Sequence, residues 1–154
     1  MINKHFLEEP NLVDLSKEIY KAVVQDKLEI NTRFNLLSDD IYDAETINFI
    51  LADGLGYENL NSTDSYLNQN VTKSINTTFP SSTNVALSSI AFMKNPIDHG
   101  LIGYYMYDKL QYGLINALNW NKENKNFLLN NHFQKQKSIW KIFKENKIYA
   151  SNFQ

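Results

Sequence analysis

The chain has 154 residues, 43% hydrophobic and 21% charged, with a formal net charge of −2 and no cysteine. That length and apolar content suit one globular domain with its own core and exclude a disordered chain. The missing cysteines exclude disulfides and thiolate metal sites, and the near-neutral charge gives no case for a nucleic-acid or acidic-membrane partner.

The first residues, MINKHFLEEPN, lack a basic segment followed by an apolar one. No apolar run approaches the roughly 18 residues of a membrane span. A cytoplasmic protein with no membrane partner is therefore expected. After Pro10-Asn11, a plausible helix start, Leu12, Leu15, Ile19, Ala22 and Val23 recur at helical spacing. Residues 26–45 are mixed and acidic at their end and complete a helical lead-in over 1–45. Ile47–Ala52 is apolar but too short for a helix, and reads as a buried strand of a parallel sheet. Gly54 and Gly56 turn the chain, and 57–69 is predicted as a helix. Residues 71–79 alternate and read as extended. Ser81 or Ser82 is placed to cap a helix running to about Met93. Residues 96–103 form a loop with two glycines, and Gly113–Trp120 is a strand or hairpin arm. Ser138–Asn146 is a helix with Ile139, Trp140 and Phe143 on one face. Lys147–Phe153 begins another strand.

This alternation predicts an α/β fold with a mainly parallel sheet and flanking helices. A parallel strand normally feeds a further crossover helix. The final predicted strand thus leads to the expectation that the sequence is the front part of something longer.

Two segments carry the candidate chemistry. Asp53 ends the predicted strand 47–52, and ligands gather beyond the carboxyl ends of parallel strands. Its carboxylate suits a cation; alternatively Asp53-Gly54 simply makes a turn. Thr83 follows Pro80-Ser81-Ser82 and opens a helix whose N-terminus favours an alkoxide and a phosphoryl oxygen. A metal on Asp53 would activate that hydroxyl, whereas the plainer alternative is a helix cap. His99, beside Asp98, invites a metal or base role, but a lone loop histidine more often fixes a turn, and that reading is preferred. His5 and His132 stand in no constellation. Tyr104, Tyr105, Tyr107 and Tyr112 read as packing or pocket wall, with base stacking as the weaker alternative.

At these residues the chain resembles the alkaline phosphatase superfamily, specifically its type I phosphodiesterase / nucleotide pyrophosphatase branch. The likeness covers roughly residues 46–154, the N-terminal portion of such a domain. It rests on Asp53-Gly54-Leu55-Gly56, then Phe79-Pro80-Ser81-Ser82-Thr83-Asn84, then Asn95-Pro96-Ile97-Asp98-His99-Gly100. Leu101–Met106 and Leu114–Trp120 resemble a bacterial subgroup. Each motif alone is weak; their order and spacing together are more specific.

The resemblance implies a metal-dependent hydrolase that cleaves a phosphodiester or nucleotide pyrophosphate through a phosphorylated or nucleotidylated threonine. It implies two divalent ions, zinc in this family, and a small phosphoester or nucleotide substrate. Asp53 matches a metal-ligand aspartate. Thr83 matches the threonine that both binds metal and attacks phosphorus, with Thr78 as runner-up. Asn84 and Tyr104 fall beside the substrate, Tyr104 standing where related diesterases carry a phosphate-binding asparagine. The family's remaining ligands lie beyond the last residue, so this chain is expected to lack most of them. Rival readings are another chemistry of the superfamily, a mutase or phosphonate hydrolase, and an inactive fragment or assembly module that self-associates through uncovered apolar surface.

Overall fold

The computed structural model describes residues 8–25, 29–108, 113–117 and 135–151. Seven helices and two strands lie among them: α1 Leu12–Val24, α2 Asp39–Tyr42, α3 Tyr57–Asn61, α4 Tyr66–Gln69, α5 Thr83–Phe92, α6 Pro96–His99, β1 Tyr105–Asp108, β2 Gly113–Asn116 and α7 Ile139–Glu145.

Helix α1 starts where the asparagine after Pro10 places it. Asn11 Oδ1 accepts from the N–H groups of Val13 (2.8 Å) and Asp14 (3.3 Å), and Asp14 Oδ2 accepts from Asn11 N at 3.1 Å. This reciprocal box satisfies N–H groups that a helix start otherwise leaves open. Asp14 also takes Arg33 in a fork, Nε at 3.2 Å and Nη2 at 2.9 Å. Glu18, one turn on and 1% exposed, gathers the next segment onto the helix. Its Oε2 accepts from the N–H groups of Leu36 (3.0 Å) and Leu37 (3.4 Å) and from the Tyr42 hydroxyl (3.1 Å). Burial, followed by the bond to Glu18, pushes the Tyr42 phenol up from its ordinary value.

The core forms where α1, α5 and α7 meet. Leu12, Tyr20 and Val24 pack with Ile90, Ile139 and Phe143, and the Tyr20 and Phe143 rings stack at 5.9 Å. Such apolar burial is the main source of stability in a domain of this size. Helix α7 ends as its sequence predicts, but residues 147–151 form no strand. Lys147 adopts φ +57, its N–H returns to Lys144 O and the Ile148 N–H returns to Phe143 O, which terminates the helix and packs Ile148 back on it. Tyr149 is then 93% exposed, and 152–154 lie outside the described residues.

The predicted parallel α/β sheet is corrected by this architecture. The described residues are mostly helical, and their only sheet is two-stranded and antiparallel, β1 against β2, with Tyr105 opposite Asn116 and Asp108 opposite Gly113. Ile47–Ala52 belongs to no helix or strand, and Ile50 is 86% exposed. An apolar run becomes a strand only beside a ladder partner. Segment 71–79, also read as extended, spends its pairing elsewhere. Asn76 exchanges backbone bonds with Pro10 O and Leu12 N, both at 2.9 Å, as an isolated parallel bridge to the start of α1.

The predicted helix over 57–69 is two short helices. The hydroxyls of Ser62 and Thr63 bond the carbonyls of Asn59 and Leu60, and Ser65 restarts the helix by accepting from Asn68 N. Residues 96–103 hold a helical turn, closed by Gly100 at φ +79. The predicted arm 113–120 is strand through Asn116, and 118–120 lie outside the described residues. Among the described residues no helix is long and apolar enough to cross a membrane.

Candidate functional site

Thr83 and Asp53 meet. Thr83 Oγ1 donates to Asp53 Oδ2 at 3.1 Å, across thirty positions of sequence. Asp53 comes from the uncovered segment 46–53, and the chain turns away directly after it at Gly54, whose φ is +74. A side chain there would be strained, although the space around the Cα is open. Thr83 is the first residue of α5, whose far end is held by α1, α6 and α7.

The helix start is unusual for a sequence so rich in hydroxyls. Ser82 has cap geometry, yet its side chain accepts from no helix N–H. Instead Ser82 Oγ donates to Asn84 Oδ1 at 2.9 Å. The first backbone bond of the helix runs from Ala86 N to Ser82 O. Among the described residues no acceptor meets the N–H groups of Thr83, Asn84 or Val85. The Thr83 hydroxyl therefore faces a carboxylate and does not serve as a cap, and it sits at the positive end of a ten-residue helix.

Asn84 is 4% exposed. Both ends of its amide are engaged within the protein, Oδ1 by Ser82 and Nδ2 by the Gly103 carbonyl at 2.6 Å. Tyr104 follows that carbonyl and is 37% exposed; its own carbonyl accepts from Ala117 N at 2.7 Å. Tyr105 and Tyr107 are exposed on β1, so neither is core packing. Tyr112, His5 and His132 lie outside the described residues. Thr78, the alternative nucleophile, is buried and donates to Pro80 O at 3.0 Å, turned into the backbone of its own loop.

His99 is wholly buried and locked. The Leu101 N–H donates to Nδ1 at 3.0 Å, so Nδ1 carries no proton. The neutral ring then has its proton on Nε2, which donates to Ser89 Oγ at 2.9 Å. A serine–histidine contact of this polarity cannot activate the serine, because the nitrogen facing Ser89 is already protonated. Burial lowers the imidazole from its ordinary value; nearby Asp98 raises it and Lys94 lowers it further. The ring anchors the 96–101 turn to α5. The His99 backbone carbonyl also accepts from Gln136 Nε2 at 3.1 Å.

A zinc centre draws three or four ligands from the protein. Asp53 and Thr83 offer one carboxylate and one hydroxyl. Among the described residues no group of three or more histidine, cysteine, aspartate or glutamate side chains is placed to hold a metal. The donor set therefore does not fit a complete metal centre, and His99 does not extend it. Two surface cavities, of about 310 and 270 Å³, are lined around Glu18 and around Phe143, and neither is lined by Asp53 or Thr83. The pair lies on open surface.

Sequence reasoning passed over Ser89, Glu18 and the Gly103 carbonyl. Asp14 and Glu18, four apart on α1, were the readable signal for an inward acidic stripe. Ser89 carried none, since a serine within an apolar helix is ordinary. The chain matches no protein-family model, no curated protein and no solved structure in the comparisons made with it.

Proposed function

We propose that this chain carries the acceptor threonine of a phosphoester- or phosphodiester-hydrolysing protein with chemistry of the alkaline phosphatase superfamily. The observation that carries the reading is the 3.1 Å hydrogen bond from Thr83 to Asp53 at an uncapped helix start. A hydroxyl donating to a carboxylate has its oxygen lone pairs free for attack and its orientation fixed. Free N–H groups beside it suit the oxygens of a phosphoryl group. In this reading Thr83 Oγ1 attacks phosphorus as its proton passes to Asp53 Oδ2, and the leaving group departs on the opposite side with a proton from solvent; water then cleaves the threonine ester, its oxygen staying on phosphorus and a proton returning to Thr83 Oγ1. Asp53 orients the hydroxyl. The two divalent ions of the family would belong to a protein that presents the remaining ligands together with this pair, and no step is assigned to them.

The shortage of ligands among the described residues favours a second reading, an assembly module that retains the pair without turnover. A nitrophenyl phosphodiester assay, with and without added zinc, of a protein that presents the full ligand set together with this pair separates the two. The chain alone is expected to be inactive. The first reading requires metal-dependent turnover in a protein that presents the full ligand set, abolished by Thr83→Ala and retained by Thr78→Ala. Retained turnover in Thr83→Ala refutes it.

A further inference from the structure

We infer that Asn84 is the positioning residue of the threonine–aspartate pair, holding the start of α5 so that Thr83 faces Asp53. The inference rests on the reading of Thr83 given above and names a residue that acts through it. Thr83 is bracketed by two neighbours, Ser82 and Asn84, that bond each other side chain to side chain at 2.9 Å. That bond fixes the Ser82 hydroxyl in an orientation in which it accepts from no helix N–H, and the first N–H groups stay open. The other end of the same amide donates to Gly103 O at 2.6 Å, nineteen positions away, which ties the helix start to the loop entering β1. Asn84 is buried, so these bonds form where competing water is scarce.

Asp53 arrives on a segment with no backbone hydrogen bond from 46 to 53 among the described residues. The aspartate side of the pair is therefore weakly fixed by its own surroundings. The direction of the contact must come from the Thr83 side, and Asn84 is the polar anchor there. An amide with its oxygen and its nitrogen both engaged also has one orientation only, so it cannot flip to release the helix start.

A mutant cycle on the whole chain tests this. The coupling between Thr83→Val and Asp53→Ala is read from urea unfolding as the non-additivity of the unfolding constants. A direct hydrogen bond predicts a coupling of roughly two- to fivefold in the otherwise native chain. In an Asn84→Ala background the coupling is expected to vanish. In an Ala91→Gly background, where α5 is weakened at a part-exposed position two turns away from Thr83, it is expected to persist. Asn84→Asp loses the donor to Gly103 while keeping the side-chain size, and reads the same loss if Asn84→Ala does not fold. Coupling unchanged in both Asn84 variants overturns the inference. So does coupling lost equally in Ala91→Gly, or absent from the native chain. None of these outcomes depends on turnover, so failure here is distinct from failure of the hydrolase reading.

Discussion

Replacing His99 by alanine is the severest single polar substitution that the structure offers. The ring is fully buried, and both of its nitrogens are bonded. Its removal strands Ser89 Oγ and Leu101 N in the interior, and a buried polar group left without a partner costs about 1–3 kcal/mol. The cavity adds to this. The expected loss is on the order of 3–5 kcal/mol, a large part of the roughly 5–15 kcal/mol of a typical domain. Ser89→Ala removes one bond only and is expected to cost about 1–3 kcal/mol. Acidification probes the same site without mutation. Burial holds the folded-state value below the unfolded value of about 6.5, so the unfolded chain takes up the proton first. The stabilisation is complete above pH 6.5 and is lost as pH falls from there through the folded value. The slope is at most about 1.4 kcal/mol per pH unit. Urea unfolding from pH 7.5 to 5, comparing the native chain with His99→Gln, isolates this from the carboxylates that both share. An identical pH dependence in the two proteins, or stability that rises on acidification only in the native one, refutes the locked neutral ring.

Thr83→Ala is expected to cost less than about 1 kcal/mol of stability, since its bond to Asp53 lies at the surface and it caps nothing. Thr78→Ala, buried and bonded to Pro80 O, should cost more in the same thermal melts. Zinc titration calorimetry on the native chain should show weak binding that Asp53→Asn reduces; unchanged affinity removes Asp53 from any ligand role. Glu18→Ala should release Leu36, Leu37 and Tyr42 together and destabilise by about 3 kcal/mol, read by urea unfolding and by the loss of amide protection at Leu36.

The legible parts of the fold were those fixed locally. Asn11 announced α1, the hydroxyl run before Thr83 announced α5, and the Ile139, Trp140, Phe143 spacing announced α7. In each case the signal lies within a turn or two of the helix it announces, although Ser82 supplies no side-chain cap to α5. Ile47–Ala52 was misread because a strand is not a local property. Its apolar residues are real, but the ladder depends on where Asn76 pairs, and Asn76 pairs with the start of α1. The single helix expected over 57–69 failed for a smaller reason: Ser62, Thr63 and Ser65 compete for backbone groups, and spacing alone does not reveal who wins. At the site, Asp53 and Thr83 were singled out from motif order, and the structure places them in contact. The turn-fixing reading of His99 agrees with its burial. Its partner Ser89 was invisible, because the i to i+10 contact requires the chain to double back at Met93, whose φ is +53.

The two halves of the threonine–aspartate pair are moored unequally. Thr83 belongs to a helix fixed at its far end by the core, and opening it means breaking much of the domain. Asp53 belongs to a segment whose amides from 46 to 53 bond to nothing among the described residues. In hydrogen-exchange terms the body of α5 beyond its open first turn sits near the global opening energy and the aspartate side near zero. The contact between them then behaves as a latch on that segment. Anything that engages Asp53 more strongly than Thr83 does would gather residues 46–53 into order, and the ordering would register as slowed exchange at Phe49 to Leu51 before any change reached α5.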